Sequence, residues 1–201
     1  MALNFANNNS LSAITTKPSG LSGGALNLIS TQTASSSSTI DFTSGIDSTY
    51  DEYVFKFYDI HPATDNTNLS FQGNAVGGSG YNETITSTYF RSQHDEGDTN
   101  ASLQYESSYD QAQGTSFQIL SQGVGNDNDQ SCSGYLHLFN PSSTTFVKHY
   151  ISRFHNAHNN NFAMSGFSAG YFNTTSAIDE IQFKMSSGNI DSGVIKLYGI
   201  S

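Results

Sequence analysis

Short segments rich in aromatic and β-branched residues recur along the chain from residue 50 onward, and turn-forming residues separate them. Residues 53–60 form such a segment, and residues 77–80 and 126–129 have the composition of turns. No stretch of useful length carries apolar residues at the helical spacing i, i+3, i+4, i+7. The sequence therefore predicts an all-β fold, an antiparallel two-sheet sandwich of the jelly-roll kind. Further strands are predicted at residues 68–72, 83–91, 103–109, 116–121, 134–139, 145–154, 162–172, 178–185 and 193–200.

The first and last of the long predicted strands share a pattern. Residues 54–60 and 194–200 both follow the order Val-apolar-Lys-apolar-Tyr-x-Ile, so we expect them to lie in one sheet. The strand period of two places Asp59 on the same face as Phe57, and Ile60 on the opposite face with the lysine. Because a lysine within a strand keeps its ammonium in water, four lysines are expected on solvent-exposed faces of the sheet. They are Lys56, Lys148, Lys184 and Lys196.

The excess of acidic over basic residues limits the classes of molecule that the protein is expected to bind. The chain has 7 Lys and Arg against 17 Asp and Glu, a formal net charge of -10. Nucleic acids and anionic membranes both require a basic face, so neither is predicted as a partner. The single cysteine, Cys132, excludes an intramolecular disulfide and a cysteine-based zinc site. The start of the chain has no basic segment followed by a long apolar one, so neither a secretory signal nor a membrane span is predicted.

The N-terminal part differs in composition from the rest. Residues 1–25 are poor in aromatics and rich in Asn, Ser, Thr and Gly, and residues 33–39 form a second polar tract. We therefore expect residues 1–48 to form an extended N-terminal arm used in assembly, and residues 49–201 to form the β-sandwich domain. Packing on a neighbouring subunit would order such an arm, which predicts a homo-oligomer.

Two loops are dense in the oxygen ligands that Ca²⁺ prefers. Neither has the EF-hand spacing, and Asp and Asn also fill turns by bonding their own backbone, so both interpretations stay open. No cofactor is predicted beyond this calcium hypothesis. Its candidate ligands are Asp95, Glu96, Asp98, Asp127 and Asp129.

Residues 166–170 match the nucleophile-elbow pattern Gly-x-Ser-x-Gly around Ser168. That motif requires a strand, a sharp turn and a helix in an α/β sheet, whereas here it lies inside a predicted strand. Small residues packing under aromatic rings explain the pattern better. No catalytic residue is predicted, and we expect the protein not to be an enzyme.

Several loops combine Tyr with Ser, Asn and Gly, a composition typical of adaptable binding surfaces. A β protein that simply avoids charge would have the same composition, so this alternative stays open. The candidates for contact with a host surface are Tyr81, Tyr105 and Tyr109.

Three segments resemble virion proteins of tailed bacteriophages of the marine type. Residues 48–65 are similar to a strand–turn segment common in those proteins, although Asn66-Thr67 replaces the usual glycine-containing turn. Residues 192–200 are similar to the end of those proteins, and residues 29–35 to their start.

The resemblance implies a structural, tail-fibre-like protein that is made in the host cytoplasm and reaches the virion and the exterior by lysis. It implies a homotrimer, contacts with other virion proteins through the N-terminal arm, and contact with a host surface glycan. Two alternatives stay open. One is a decoration of the capsid exterior or another virion subunit of the same fold, and the other is a surface-glycan depolymerase.

Overall fold

A computed structural model describes residues 25–201. Those residues form thirteen β-strands and no helix. The strands are β1 (Leu26–Ser37), β2 (Ile40–Phe42), β3 (Glu52–Pro62), β4 (Thr67–Ala75), β5 (Ile85–Asp95), β6 (Ala101–Tyr105), β7 (Ala112–Gly114), β8 (Gln118–Val124), β9 (Cys132–Phe139), β10 (Lys148–His158), β11 (Phe162–Phe172), β12 (Ile178–Met185) and β13 (Ile190–Ile200).

The strands form one antiparallel sheet that is nearly closed into a barrel. The main path runs β1-β13-β3-β9-β10-β8-β4-β12-β2, and its two end strands, β1 and β2, contact each other. A branch leaves β10 through β11 to β5, which also pairs with β6 and β7. The predicted all-β, antiparallel fold is confirmed, whereas the division into two sheets stays a prediction. Between β10 and β8 the ladder consists of one residue pair, His158 opposite Val124.

The first and last long predicted strands are neighbours, as expected. β3 pairs with β13, and Lys56 lies directly opposite Lys196. The other edge of β13 pairs with β1 along nearly its whole length. Of the N-terminal arm predicted for residues 1–48, residues 1–24 lie outside the described residues, and β1 and β2 are part of the sheet.

The predicted facing of Asp59 and Ile60 is wrong. Asp59 is exposed and has a φ of 48°, in the left-handed region, and the pairing of β3 with β9 shifts between Phe57 and Ile60. The shift adds one residue to β3 and forms a β-bulge, so the residues beyond it point to the opposite faces from those that strict alternation predicts. Ile60 consequently points into the core, where it is fully buried. The Asp59 amide donates a hydrogen bond to Ser133 Oγ at 3.0 Å, which holds the bulge against β9.

Phenylalanine rings fill the interior and pack edge to face around Phe183 of β12. Its ring centroid lies 4.9 Å from that of Phe57, 5.2 Å from that of Phe55 and 6.0 Å from that of Phe42. Such edge-to-face pairs add to the free energy of burial because the positive ring edge meets the negative ring face. β12 and β3 are therefore fixed against each other across the core.

The expectation that Lys148 faces water is wrong. Buried and exposed residues alternate along β10, and Lys148 falls on the buried side. Its Nζ donates hydrogen bonds to the carbonyl oxygens of Phe146, at 2.7 Å, and Thr174, at 3.2 Å. These two acceptors compensate for the water that the ammonium loses. Burial lowers the pKa of Lys148. The other three strand lysines are half-buried.

Candidate contact surface

Seven residues on seven adjacent strands lie directly opposite one another and form a line across the sheet. Directly opposed residues of antiparallel strands share one face, so all seven side chains project from the same side. We call this set the transverse row. From β13 to β6 it consists of Lys196, Lys56, Tyr135, Arg153, Phe167, Phe90 and Tyr105.

The transverse row lies on the outer face of the sheet. Arg153 is exposed, while its chain neighbours Ser152 and Phe154 are buried. Three of its four aromatic members are exposed, Tyr105 by 56%, Phe90 by 41% and Tyr135 by 38%, and Phe167 is half-buried. Large aromatic side chains normally contribute to a core, so several on one open face identify a candidate contact surface.

Contacts within the row hold its side chains in place. The rings of Phe90 and Phe167 are stacked, with centroids 4.8 Å apart and planes 6° from parallel. From the strand on the other side, the Arg153 guanidinium lies 5.1 Å from the Phe167 centroid. Cation–π and ring-stacking contacts of this kind reduce the conformational freedom that the side chains would lose on binding. The central part of the row is therefore preorganised.

The two lysines of the row sit beside tyrosines that border it. Lys56 Nζ lies 5.7 Å from the centroid of Tyr198, and Lys196 Nζ lies 5.5 Å from that of Tyr58. Tyr58 is itself exposed. This end of the row therefore combines two ammonium groups with two phenol rings.

The row concentrates positive charge on a protein that has little of it. Three of the chain's seven Lys and Arg residues belong to the row, and none of its seven members is acidic. The ion pairs of residues 25–201 join Arg91 to Glu106, His94 to Asp98 and His137 to Glu52, so none involves a cation of the row. The three cations are therefore available to an external anion.

Of the three tyrosines predicted to contact a host, Tyr105 belongs to the row, where its hydroxyl donates a hydrogen bond to Asp110. Tyr109 packs edge to face on the buried Tyr89 ring, at 5.6 Å. Tyr81 lies near Glu180 of β12, and burial together with Glu180 and Asp41 raises the pKa of Tyr81 to about 12. The structure therefore does not bring the three together.

Within the first predicted calcium loop, Asp95 acts as a turn residue. Its Oδ1 accepts hydrogen bonds from the amides of Thr99, at 2.9 Å, and Asn100, at 2.7 Å. Hydrogen bonds from Thr99 and Asn100 lower the pKa of Asp95. Asp98 lies 3.1 Å from His94 Nε2. These hydrogen bonds stabilise a turn, which explains why this loop is rich in Asp and Asn.

The remaining candidates, Glu96, Asp127 and Asp129, line a cleft of about 400 Å³ next to His155 and His158. Burial lowers the pKa of His158. Among residues 25–201, no three His, Cys, Asp or Glu side chains stand close enough together to hold a metal ion.

Ser168 is buried inside β11, between the antiparallel neighbours β10 and β5. This setting is not the strand–turn–helix of a nucleophile elbow. Gly166 and Gly170 lie so close to the hydroxyls of Tyr89 and Tyr150 that a Cβ at either glycine would collide with them. The motif thus packs small residues against aromatic rings, as expected.

The described part of the chain has no helix long and apolar enough to cross a membrane.

The chain matches no protein-family model, and no curated protein or solved structure has significant similarity to it.

Proposed function

We propose that the protein is a non-enzymatic virion structural protein of the tail-fibre or adhesin type, which contacts the host surface through the transverse row. The observation that carries the proposal is the line of exposed and half-buried aromatic and cationic side chains on the outer face of the sheet. The likeness of residues 48–65 and 192–200 to phage virion proteins supports it. Ser168 is buried inside a strand, which argues against the segment 166–170 as a nucleophile elbow.

We further propose that the sheet folds into a two-layered sandwich of the jelly-roll kind. β8, β4, β12 and β2 are consecutive neighbours, and within residues 25–201 the ladder that pairs them with the other strands is the single residue pair between β10 and β8. Phe183 of this group packs against Phe57 of β3. Two layers that face each other across an aromatic core account for both observations.

Assembly is proposed to occur as a homotrimer through residues 1–48, which also contact other virion proteins. No strand among residues 25–201 pairs with the outer edge of β1. Leu26 and Leu28 are exposed on this strand. An edge of this kind can accept a neighbouring copy or another virion protein.

Antibody labelling of negatively stained particles tests the proposal. An antibody raised against the purified protein should label the tail. Label over the whole shell would make the protein a capsid decoration, and particles without label would refute a virion role. Purified protein should release no new reducing ends from host surface polysaccharide, and their release would make it a depolymerase.

A further inference from the structure

We infer that the transverse row binds an acidic polysaccharide, one whose sugar units include uronates. The inference rests on the proposed function, because it assigns a ligand class to the same contact surface. It follows from three properties of the row, namely its extent, its chemistry and its charge.

The extent of the row fits an extended ligand. Its seven residues come from seven adjacent strands, and with a strand spacing of about 4.8 Å they span about 29 Å. The row lies on an open sheet face and not in a pocket. A small molecule would contact only a fraction of it, whereas a chain polymer can contact most of its length.

The chemistry of the row fits a sugar polymer. Four aromatic side chains alternate in groups with three cations along the line. Aromatic rings attract the weakly positive C–H groups of a sugar ring, while ammonium and guanidinium groups bind carboxylates. Both types of group recur along a uronate chain.

The charge of the row sets the sign of the ligand's charge. Its three cations lie within the first four positions, over about 14 Å, and the last three positions are aromatic. A nucleic acid carries a phosphate at every residue and is held by cations along its whole backbone, which the aromatic end of the row does not supply. An acidic glycan can bind through its carboxylates at the cationic end and through its sugar faces at the aromatic end.

A second copy of the chain is a poorer occupant of this face. A two-fold axis along the row would set Lys56, Arg153 and Lys196 against their own copies, and a two-fold axis across its centre would still set Arg153 against Arg153. Such contacts between like charges are unfavourable, and no carboxylate belongs to the row to offset them.

Binding to immobilised polysaccharides tests the inference. The full-length protein should bind alginate more tightly than neutral dextran, and added salt should weaken the binding. The triple variant Lys56→Gln, Arg153→Gln, Lys196→Gln should bind alginate about tenfold more weakly or worse, since each lost surface ion pair costs up to about 1 kcal/mol. Phe90→Ala should also weaken binding.

Matched variants outside the row control for fold and net charge. Lys184→Gln removes one cation on β12 and is compared with the single row variant Lys196→Gln, which has the same net charge. Phe146→Ala removes a side chain that is 69% exposed and is compared with Phe90→Ala. Both should bind alginate as the unmodified protein does. Circular dichroism of each variant verifies that the fold is retained.

Four outcomes would overturn the inference. They are equal binding to dextran and alginate, unchanged binding by the triple variant, tighter binding to a thymidine oligonucleotide than to alginate, and a concentration-dependent dimer that the triple variant abolishes. None of them decides where the protein sits on the particle. Tail labelling without alginate binding would refute the ligand class and leave the proposed function standing.

Discussion

At the scale of single residues, one aspartate decides which side chains of β3 enter the core. Asp59 lies in the left-handed region of backbone space, which Asp and Asn tolerate better than most other residues because their short side chains can bond locally. The alternation of residue types along β3 therefore predicts which side chains are buried before the bulge, such as Phe57, and fails after it. A bulge adds one residue to one strand only, so the pattern of that strand alone does not locate it.

Replacing Asp59 with valine should destabilise the fold by about 1–2 kcal/mol, because a β-branched residue is strained at positive φ. Urea unfolding of the variant measures this loss. Asp59→Asn is the matched control, and it should stay within about 0.5 kcal/mol of the original protein. Equal stability of the valine and asparagine variants would show that the backbone at residue 59 carries no strain.

At the scale of elements, the sequence predicts strands well where apolar alternation is bounded by turn residues. β11 and β12 have the predicted bounds, 162–172 and 178–185. β1 is dominated by Ser and Thr, so its sequence contains an apolar run at 26–29 but no recognisable strand. Its strand conformation depends on pairing with β13, a contact between distant parts of the chain.

Two N-terminal deletions separate assembly from folding. Removal of residues 1–25 should leave a soluble β domain with unchanged Tm, since the ladder between β1 and β13 begins at Leu26. Removal of residues 1–37 should lower Tm by at least about 5 °C, because it removes β1 and uncovers β13. Calorimetry measures both.

The shorter deletion also tests the anchor. Under the proposed function, protein lacking residues 1–25 should no longer be incorporated into particles, as immunoblotting of purified particles would reveal. Retained incorporation would refute an anchor in this segment, and a large loss of Tm would refute the independence of the β domain.

The candidate contact surface illustrates why only part of such a site can be predicted from this sequence. Tyr105 could be selected from its loop-like surroundings of Tyr, Ser and Glu. Tyr135, Phe90 and Phe167 could not, because they become neighbours only through the order and register of non-consecutive strands. That order is determined by contacts across the whole sheet.

At the scale of the whole molecule, several weak acids are kept protonated by burial. Burial raises the pKa of the Cys132 thiol from its ordinary 9.0 to about 12. Burial also raises the pKa values of the Tyr89 and Tyr150 hydroxyls well above their ordinary 10.0. Burial lowers the pKa of Lys148, so this group changes the stability with pH in the opposite direction, but it is one group against three.

Stability should therefore fall in alkali. A raised folded-state pKa contributes stability that is complete below the unfolded pKa and is lost as pH rises toward the folded value. Tm should be constant between about pH 7 and 8.5 and should decline above about pH 9, with each buried group contributing about 1.4 kcal/mol per pH unit. Thermal unfolding followed by circular dichroism measures this profile.

The variant Tyr150→Phe isolates one of these groups. Above about pH 10 its stability should decline less steeply than that of the original protein, by about 1.4 kcal/mol per pH unit. Parallel profiles would mean that Tyr150 ionises equally in the folded and unfolded chains.

The alternation along β10 has an evolutionary consequence. Arg153 points outward between two buried neighbours, and the other members of the row lie on the same outer face of their own strands. Under the proposed function, mutations at these positions can alter what the protein binds without disturbing the aromatic interior. Recognition could thus diversify one strand at a time, while selection on folding acts on the opposite face of the same strands.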